Sequence, residues 1–324
     1  MTVYNNFPLS NILYYKIGGK AKWALKIQNR ADLSEALELI RENQIKKILP
    51  VGLGSNLLVS DKFFDGAVLW FCKAEFLQIK LDGDGLVSAF AGEKLDDLIQ
   101  FCFKNNLRGL EWAGGLPSTV GAAVRGNVGA FGSEIKESVE KVKAFELLNG
   151  GKFLEKELKA KDLNFSYRTS LIKQNKNLIV ADVFFKLHKT DSQGIEEAKK
   201  IYFQNIGYRK EHHPMEYPSC GSVFKNITDP DQVSKVLQKW PDIQKLVAIK
   251  WHNKVSMGYT IKRLGFSNLK IGGAQVSEKH ANYIVNINNA RSNDVIGIIE
   301  RIRDKFSKTF GFLPETEIEI IDKL

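Results

Sequence analysis

The chain has 324 residues, of which 44% are apolar and 26% charged, and its formal net charge is +10. This composition is typical of globular proteins that bury a core without disulfide or metal staples, and the length suits about two domains of roughly 100–200 residues. No apolar run approaches the roughly 18–20 residues of a membrane span, so we expect no membrane insertion. The basic surplus predicts an anionic partner: nucleic acid, an acidic membrane surface or phosphorylated small molecules.

The beginning of the chain and its cysteines favour a cytoplasmic protein. Residues 1–20 lack a basic stretch followed by an apolar one, so we expect no signal peptide. Cys72, Cys102 and Cys220 are odd in number, far apart and without a CxxC pair, which favours reduced thiols over a disulfide framework or a zinc site. The five histidines form no HxxxH or HExxH pattern, so we expect no bound metal.

Apolar residues at helical spacing predict four amphipathic helices, which we assign to core packing. Asp32 and Glu35 resemble a capping box at the start of the first helix, and Asp229 is the expected cap of the third, which Pro241 ends. The fourth runs from about residue 293 to 310 and ends at Gly311. The predicted inward faces are Leu33, Ala36, Leu37 and Ile40; Leu95, Leu98, Ile99 and Cys102; Val233, Val236, Leu237 and Trp240; and Val295, Ile298, Ile299, Ile302 and Phe306.

Short apolar runs between these helices predict strands. They lie at residues 45–51, 67–71, 142–148, 178–187, 283–287 and 318–321, with a turn expected at Asp65–Gly66 and a solvated surface at 155–161. Because helices and strands do not alternate steadily, the order favours an α+β fold over a doubly wound sheet.

The first of two glycine-rich segments is LPVGLGSNLLVSD at residues 49–61. Gly52 and Gly54 allow a ligand to approach the backbone closely, and Ser55 and Asn56 add polar groups that suit a pyrophosphate. Leu57 stands where a dinucleotide fingerprint requires glycine, and no GK[ST] follows, so neither standard phosphate motif is present. The segment alone leaves a phosphate site and an ordinary turn equally open.

The second segment has glycines at 114, 115, 121, 126, 129 and 132. This density is too high for a regular element, since each glycine costs about 0.5–1 kcal/mol relative to alanine there. Either the region is a tightly packed set of turns, or its backbone lies against an extended ligand such as a dinucleotide. Two such loops predict a ligand gripped between two subdomains.

These segments carry a resemblance to a known family. Residues 50–61 resemble the first loop of the vanillyl-alcohol-oxidase type of FAD-binding fold, and LEWAGGLPSTVGAAVRGNVGAFG at 110–132 resembles the second FAD loop of the UDP-N-acetylenolpyruvoylglucosamine reductase (MurB) family. Four more stretches match that family in order: KIGGKA at 16–21, FSYRTS at 165–170, YPSCGSVFKN at 217–226 and IGGAQVSEKHANYIVN at 271–286. The resemblance therefore spans nearly the whole chain.

The resemblance implies an α+β fold with a two-part FAD-binding unit and a C-terminal substrate-binding domain. The expected boundaries are 1–70, 71–207 and 208–324. The implied enzyme binds FAD non-covalently and uses NADPH to reduce the enolpyruvyl ether of UDP-N-acetylglucosamine to UDP-N-acetylmuramate, a cytoplasmic step of bacterial peptidoglycan synthesis. Only about twenty residues separate the strand ending near 187 from Arg209, which suggests the shorter form of the family, without the inserted loop over UDP.

Three catalytic residues follow from the resemblance. Arg168 in FSYRTS matches the arginine that stabilises negative charge on the substrate carboxylate, and its planar fork suits that task. Ser222 matches the serine that protonates the α-carbon, with Lys225 as a group that helps stabilise its alkoxide. Glu317 matches a C-terminal glutamate, although Glu319 stands where the family has an arginine.

The resemblance also implies the ligand contacts. The expected FAD contacts are Gly52, Gly54, Ser55, Asn56, Leu57, Pro117, Thr119, Val120, Gly121, Asn127, Tyr167, Ile179 and Arg209. Arg209 matches an arginine at the isoalloxazine, where a cation favours the anionic reduced flavin. Lys225, Asn226 and Gln275 are the candidates for the UDP moiety. Gly126, Val128 and Phe131 depart from the family's methionine, alanine and tyrosine, which we interpret as repacking.

Three other functions compete with this one. A sugar or lactone oxidase of the same fold class often attaches flavin through a histidine in the first loop, and residues 50–61 contain none. A nucleic-acid-binding protein would need a binding motif, whereas the basic residues here are spread along the chain, so we expect no nucleic-acid partner. An inactive binding module would not need the three catalytic residues. The expected partners are NADPH and the UDP-sugar, with the chain acting as a monomer.

Overall fold

The computed structural model describes residues 1–148 and 151–321. Their contacts divide the chain into two compact units, each made of several stretches of sequence. Unit 1 contains Met1–Phe7, Ala21–Leu53 and Phe64–Glu211. Unit 2 contains Pro8–Lys20, Gly54–Phe63 and His212–Leu324, so two short N-terminal stretches belong with the C-terminal part. The threefold division at 1–70, 71–207 and 208–324 stays a prediction.

The described residues form eight α-helices. They are α1 Arg30–Glu42, α2 Leu95–Lys104, α3 Val120–Arg125, α4 Leu171–Gln174, α5 Ser192–His212, α6 Pro230–Lys239, α7 Met257–Arg263 and α8 Ser292–Phe310.

Nineteen strands alternate irregularly with these helices in the described part of the chain. They are β1 Thr2–Pro8, β2 Lys20–Ile27, β3 Ile48–Val51, β4 Leu57–Val59, β5 Phe64–Phe71, β6 Ile79–Gly83, β7 Leu86–Phe90, β8 Leu107–Arg108, β9 Gly129–Ala130, β10 Ser133–Glu134, β11 Val139–Leu147, β12 Phe153–Lys159, β13 Leu178–Lys186, β14 His188–Lys189, β15 Ser219–Ser222, β16 Lys270–Ile271, β17 Ala274–Val276, β18 Tyr283–Asn286 and β19 Glu319–Ile321.

Two sheets share one core in unit 1. The first has the order β1-β2-β5-β3, with β5 parallel to both β2 and β3. The second is antiparallel, in the order β12-β11-β13-β7-β6. Their apolar faces, together with those of α1 and α2, form a single buried cluster that includes Leu25, Leu69, Leu98 and Val183. The predicted inward faces of these two helices are confirmed, since all eight residues are buried.

Unit 2 is built around a smaller antiparallel sheet of order β15-β18-β17-β16. Helix α8 packs on this sheet through Ile298, Ile302 and Phe306, all fully buried. A separate parallel pair joins β4 to β19, with Leu57 opposite Glu319. The cap and end of α6 are as predicted, because Asp229 accepts from the Gln232 N–H and the helix ends before Trp240. Gly311 ends α8 at φ 79°, also as predicted.

Two local predictions are wrong. Helix α1 begins with Asn29 as its cap, and the Asn29 side chain accepts from the Asp32 N–H while the Asp32 carboxylate accepts from the Gln28 N–H. The cap therefore lies three residues before Asp32, because asparagine is as good a cap as aspartate. Asp65–Gly66 is part of β5 and not a turn; the two residues lie at an irregularity in the pairing with β2, between the Ala21–Phe64 and Trp23–Ala67 pairs.

Within the described residues, no helix combines the length and apolar character needed to cross a membrane.

Candidate functional site

In unit 1 the two glycine-rich segments meet at Gly52 and Thr119. A Cβ atom on Gly52 would lie only 2.4 Å from the Thr119 Oγ1 atom, a distance that real Cβ atoms do not adopt. Thr119 is 1% exposed and has little room to move aside. Glycine at position 52 is therefore required for this approach of the two loops.

Backbone hydrogen bonds with residues 91–95 hold the second glycine-rich segment in place. The Val120 N–H donates to the Glu93 carbonyl at 2.8 Å, and the Gly121 N–H donates to the Ala91 carbonyl at 2.9 Å. A Cβ on Gly121 would lie 2.7 Å from the Ala91 Cβ, so this contact also depends on glycine. Helix α3 starts from this fixed point, and Pro117 lies half-buried just before it.

Asn127 ends the glycine-rich segment in a left-handed conformation, with φ at 41°. Its buried amide donates to the Ser166 carbonyl at 2.9 Å and to the Glu134 carboxylate at 3.1 Å, and its Oδ1 atom accepts from the Lys136 N–H. Asparagine tolerates this conformation better than most residues. These bonds tie the second loop to the FSYRTS segment.

Tyr167 and Arg168 form the tip of a tight turn. Ser166 and Thr169 exchange two backbone hydrogen bonds of 3.1 Å, which leaves the two residues between them at the turn. Arg168 has φ at 59°, its Nη2 atom donates to the Gly129 carbonyl at 2.8 Å, and its guanidinium carbon lies 5.1 Å from the centre of the Tyr167 ring. The turn thus fixes a cation beside the glycine-rich segment.

Glu134 contributes negative charge near Arg168. Burial alone would raise the pKa of this carboxyl, but hydrogen bonds from Lys136 and Asn127 and the positive charge of Arg168 bring its pKa below the ordinary value. The side chain is therefore held as a carboxylate, which balances part of the positive charge at the turn.

Arg209 approaches the second loop from helix α5. Its Nε atom donates to the Gly114 carbonyl at 2.9 Å, and its guanidinium carbon lies 5.2 Å from the centre of the Phe131 ring. The side chain is buried. Ile179 lies on β13 opposite Phe145 and belongs to the apolar core of the unit.

In unit 2 the remainder of the first loop is joined to the end of the chain. Gly54 has φ at 64°, and a Cβ there would lie 2.5 Å from the Leu13 Cδ2 atom. The Asn56 amide donates to the Glu317 carbonyl at 3.3 Å, and the Glu319 N–H donates to the Asn56 carbonyl at 3.0 Å. Ser55 precedes this junction, and Leu57 follows it as the first residue of β4.

The backbone segments that contain Ser222 and Glu317 are joined by long-range pairing. Ser222 ends β15 opposite Tyr283, and the chain then runs antiparallel to the segment of Glu317. The Lys225 N–H donates to the Glu315 carbonyl at 2.9 Å, and the Glu317 N–H donates to the Val223 carbonyl at 2.8 Å. Two predicted catalytic residues that are far apart in sequence thus lie in neighbouring segments of one unit.

The three residues predicted for UDP make protein contacts. The Lys225 ammonium pairs with the Glu315 carboxylate at 2.9 Å, and its predicted help for the Ser222 hydroxyl stays a prediction. The Asn226 Oδ1 atom accepts from the Met257 N–H at the start of α7. The Gln275 amide, on β17, donates to the Asn268 side chain.

The structure also reveals residues that the sequence did not single out. The positive charge of Arg168 lowers the pKa of Glu134, Glu315 forms an ion pair with Lys225, and Asn282 hydrogen-bonds to the segment that follows Ser222. Asn282 lies within residues 271–286, which resemble a stretch of the family, and this resemblance could have drawn attention to it. The two glutamates lie in charge-rich sequence without a distinguishing pattern. Among residues 1–148 and 151–321, no group of three or more His, Cys, Asp or Glu is arranged to hold a metal ion.

Comparison with protein families matches both parts of the chain. A model described as an FAD binding domain matches residues 22–153, which include both glycine-rich segments. A model described as the C-terminal domain of UDP-N-acetylenolpyruvoylglucosamine reductase matches residues 213–321, which include Ser222 and Glu317.

Full-length relatives give the same result. The UDP-N-acetylenolpyruvoylglucosamine reductase of Prochlorococcus marinus is 32% identical over 97% of this chain and 96% of its own length. That of Caldicellulosiruptor saccharolyticus is 34% identical over 97% of this chain and 90% of its own. The crystal structure of the enzyme (MurB) from Thermus caldophilus matches with a TM-score of 0.74 and 26% identity, over 99% of this chain and 98% of that one. The chain belongs to the UDP-N-acetylenolpyruvoylglucosamine reductase family.

Proposed function

We propose that this chain carries out the reaction of its family. It is an FAD-dependent oxidoreductase that uses NADPH to reduce UDP-N-acetyl-3-O-(1-carboxyvinyl)glucosamine to UDP-N-acetylmuramate, in peptidoglycan precursor synthesis. The observation that supports the residue assignments is the backbone pairing of the Ser222 and Glu317 segments, which lie side by side in unit 2.

The backbone of the two glycine loops suits FAD. Gly52 and Gly121 approach neighbouring residues more closely than any side chain permits, and Asn127 holds the end of the second loop in a left-handed conformation. We assign FAD contacts to Gly52, Gly54, Ser55, Asn56, Leu57, Pro117, Thr119, Val120, Gly121, Asn127, Tyr167, Ile179 and Arg209. When bound, FAD carries the hydride from NADPH to the double bond of the substrate.

Arg168 stabilises the negative charge that develops on the substrate carboxylate when hydride is added to the terminal carbon. Its guanidinium is positioned before the reaction, because the turn, the Gly129 carbonyl and the Tyr167 ring already hold it. Fixed donors of this kind stabilise developing charge without reorganisation in the reaction.

Ser222 donates the proton that the α-carbon receives, and Glu317 supplies a carboxyl group in the neighbouring segment. A serine hydroxyl is a weak acid, so its surroundings must stabilise the alkoxide that the transfer leaves. Lys225, three residues further along, is the cation best placed in sequence for this task once it leaves Glu315.

Lys225, Asn226 and Gln275 bind the UDP moiety. Binding by Lys225 requires exchange of the Glu315 carboxylate for the diphosphate, both of which accept the same charge-assisted hydrogen bonds. The partners are NADPH and the UDP-sugar, without nucleic acid, and the enzyme acts as a cytoplasmic monomer.

Absorption spectroscopy of the FAD-loaded protein tests this function. We expect NADPH to bleach the oxidised flavin spectrum anaerobically, and the enolpyruvyl UDP-sugar to restore it. UDP-N-acetylglucosamine, which lacks the double bond, is the control and should leave the bleached spectrum unchanged. Protein that binds no FAD, or a spectrum that the substrate does not restore, would contradict the proposal.

A further inference from the structure

The segment between Ser222 and Lys225 is held by the buried side-chain amide of Asn282, to which the proposed reaction assigns no role. The Asn282 Oδ1 atom accepts from the Phe224 N–H at 2.9 Å, and the Asn282 Nδ2 atom donates to the Phe224 carbonyl at 2.8 Å. Asn282 is 3% exposed and Phe224 is 1% exposed, so water does not compete for these bonds. Only a side chain with one donor and one acceptor makes both of them.

These two hydrogen bonds between Asn282 and Phe224, which we call the clamp, lie where the regular pairing of β15 with β18 stops. Ser222 is the last residue of β15, and the next bond on that side runs from the Val223 N–H to the Asn282 carbonyl at 2.8 Å. The Asn282 side chain then hydrogen-bonds to both the N–H and the carbonyl of Phe224, as the backbone of a further strand residue would. The main chain and side chain of Asn282 therefore extend the pairing of β18 by two residues beyond Ser222.

The opposite edge of the same segment carries Glu317. There the Glu317 N–H donates to the Val223 carbonyl, and the Lys225 N–H donates to the Glu315 carbonyl. Phe224 is thus the middle residue of the segment 223–225. This segment is hydrogen-bonded to Asn282 on one side and to residues 315–317 on the other. A shift of its peptide moves Ser222, Lys225 and Glu317 together.

We propose that Asn282 is a positioning residue for reduction of the substrate: it acts through the Phe224 backbone to place Ser222 and Lys225, and has no part in reduction of FAD by NADPH. This inference rests on the proposed function of Ser222 and extends it. A displacement of about 1 Å in a catalytic group lowers a rate on the order of 100-fold, so the clamp is as important to this step as many groups that touch substrate.

Two substitutions separate positioning from simple stability. N282L fills a similar volume without hydrogen bonds, and we expect it to slow recovery of the flavin spectrum by the enolpyruvyl substrate on the order of 100-fold. N282D has both a donor and an acceptor while its carboxyl is protonated, but only acceptors once it ionises. Because burial raises the pKa of a carboxyl, N282D should approach wild-type recovery at low pH and lose it as pH rises.

Asn286 provides a matched control on the same strand. It is also buried, and its side chain bonds the Ala290 N–H and the Tyr15 carbonyl instead of Phe224. We expect N286D to leave the pH dependence of flavin recovery as in the wild type. His280, whose pKa is lowered by burial and whose Nδ1 atom accepts from the Asn282 N–H, is present in every variant, so the wild-type and N286D profiles show the pH dependence that it causes on its own.

The experiment measures flavin bleaching by NADPH, flavin recovery by substrate, and hydrogen exchange of the Phe224 amide. The inference predicts normal bleaching, impaired and pH-dependent recovery in N282D, and faster exchange at Phe224 in N282L but not in N286D. Equal loss of bleaching and recovery, or an N282D profile identical to that of N286D, would overturn it. If the wild-type spectrum is not restored by substrate, the proposed function fails instead.

Discussion

The two units hold their candidate functional side chains on different kinds of backbone. In unit 1, Asn127, Phe131 and Arg168 adopt left-handed conformations with φ of 41°, 55° and 59°. Such conformations cost roughly 1–2 kcal/mol for a residue with a side chain. In unit 2, Ser222 and Glu317 lie in segments joined by long-range backbone pairing, outside the left-handed region.

This difference explains why the candidate residues of unit 1 and those of unit 2 depend on different features of the sequence. Tight turns require glycine or a tolerated left-handed residue at fixed sequence positions, so unit 1 depends on local sequence. Paired segments accept many residue types and depend on partners distant in sequence, such as Asn282 and Glu315. Substitutions can therefore test the candidate residues of each unit separately.

The largest effect is expected from Gly52→Ala. Its new Cβ would meet the Thr119 Oγ1 atom at 2.4 Å, so the two glycine loops must separate and FAD should be lost. The ratio of flavin to protein absorbance after gel filtration measures this loss, with circular dichroism to confirm folding. Gly126→Ala is the control, because its Cβ has only an ordinary 3.5 Å contact with the Ala122 carbonyl. Wild-type FAD content in Gly52→Ala would contradict the view that FAD binding in unit 1 requires glycine at this position.

Arg168→Lys should lower turnover on the order of 100–1000-fold, the usual cost of losing one preorganised donor. Lysine keeps the charge but not the planar fork that now reaches the Gly129 carbonyl. Steady-state kinetics measure the loss, and retained FAD would show that the loop itself persists. Arg41→Lys, on the exposed face of α1, is the control and should behave as wild type. A loss below tenfold would argue against a catalytic role for Arg168.

Ile302→Ala should destabilise unit 2 by about 2–5 kcal/mol, the usual cost of a large-to-small change in a core. Ile302 is fully buried among the residues that support the Ser222 sheet. Urea denaturation followed by circular dichroism measures the free energy of unfolding. Ile249→Ala is the matched control, because Ile249 is 76% exposed and its loss should change stability by about 0.5 kcal/mol or less. Equal effects of the two changes would refute the assigned core.

The smallest effect concerns acid stability. Glu134 has a folded-state pKa below its ordinary value, so its stabilising contribution is complete above pH ~4.5 and disappears as pH falls through the folded value. Glu134→Gln should therefore flatten the fall in unit 1 stability below pH ~4.5. Thermal unfolding at several pH values measures this slope, and Glu140→Gln, at an exposed position, is the control. An unchanged slope would show that the Lys136 and Arg168 charges do not act on Glu134.

The sequence predicted the local features of this molecule well. Apolar spacing identified the buried faces of α1, α2 and α8, and the glycine pattern identified the loops that meet at Gly52 and Thr119. The α+β class is confirmed by the mixture of helices and two kinds of sheet, and the family by the comparisons. The helix faces and the glycine spacing depend on residues close together in the chain.

Features that depend on distant partners could not be predicted. No local pattern indicates that β4 pairs with β19, or that Phe224 is held by Asn282 on one side and by residues 315–317 on the other. The α1 cap was misplaced because Asn29 and Asp32 have similar capping preferences, and only the folded backbone distinguishes them. The roles of Arg168, Ser222 and Glu317 stay predictions until they are measured.

Anaerobic stopped-flow absorption of the FAD-loaded Ser222→Ala variant tests most directly whether Ser222 acts in reduction of the substrate and not in reduction of the flavin. If Ser222 takes no part in binding FAD and acts only as the proton donor, NADPH should bleach the flavin at the wild-type rate. Recovery by the enolpyruvyl UDP-sugar should then slow by about 100–10000-fold, the range for loss of a general acid. Equal slowing of bleaching and recovery, or recovery at the wild-type rate, would contradict this account.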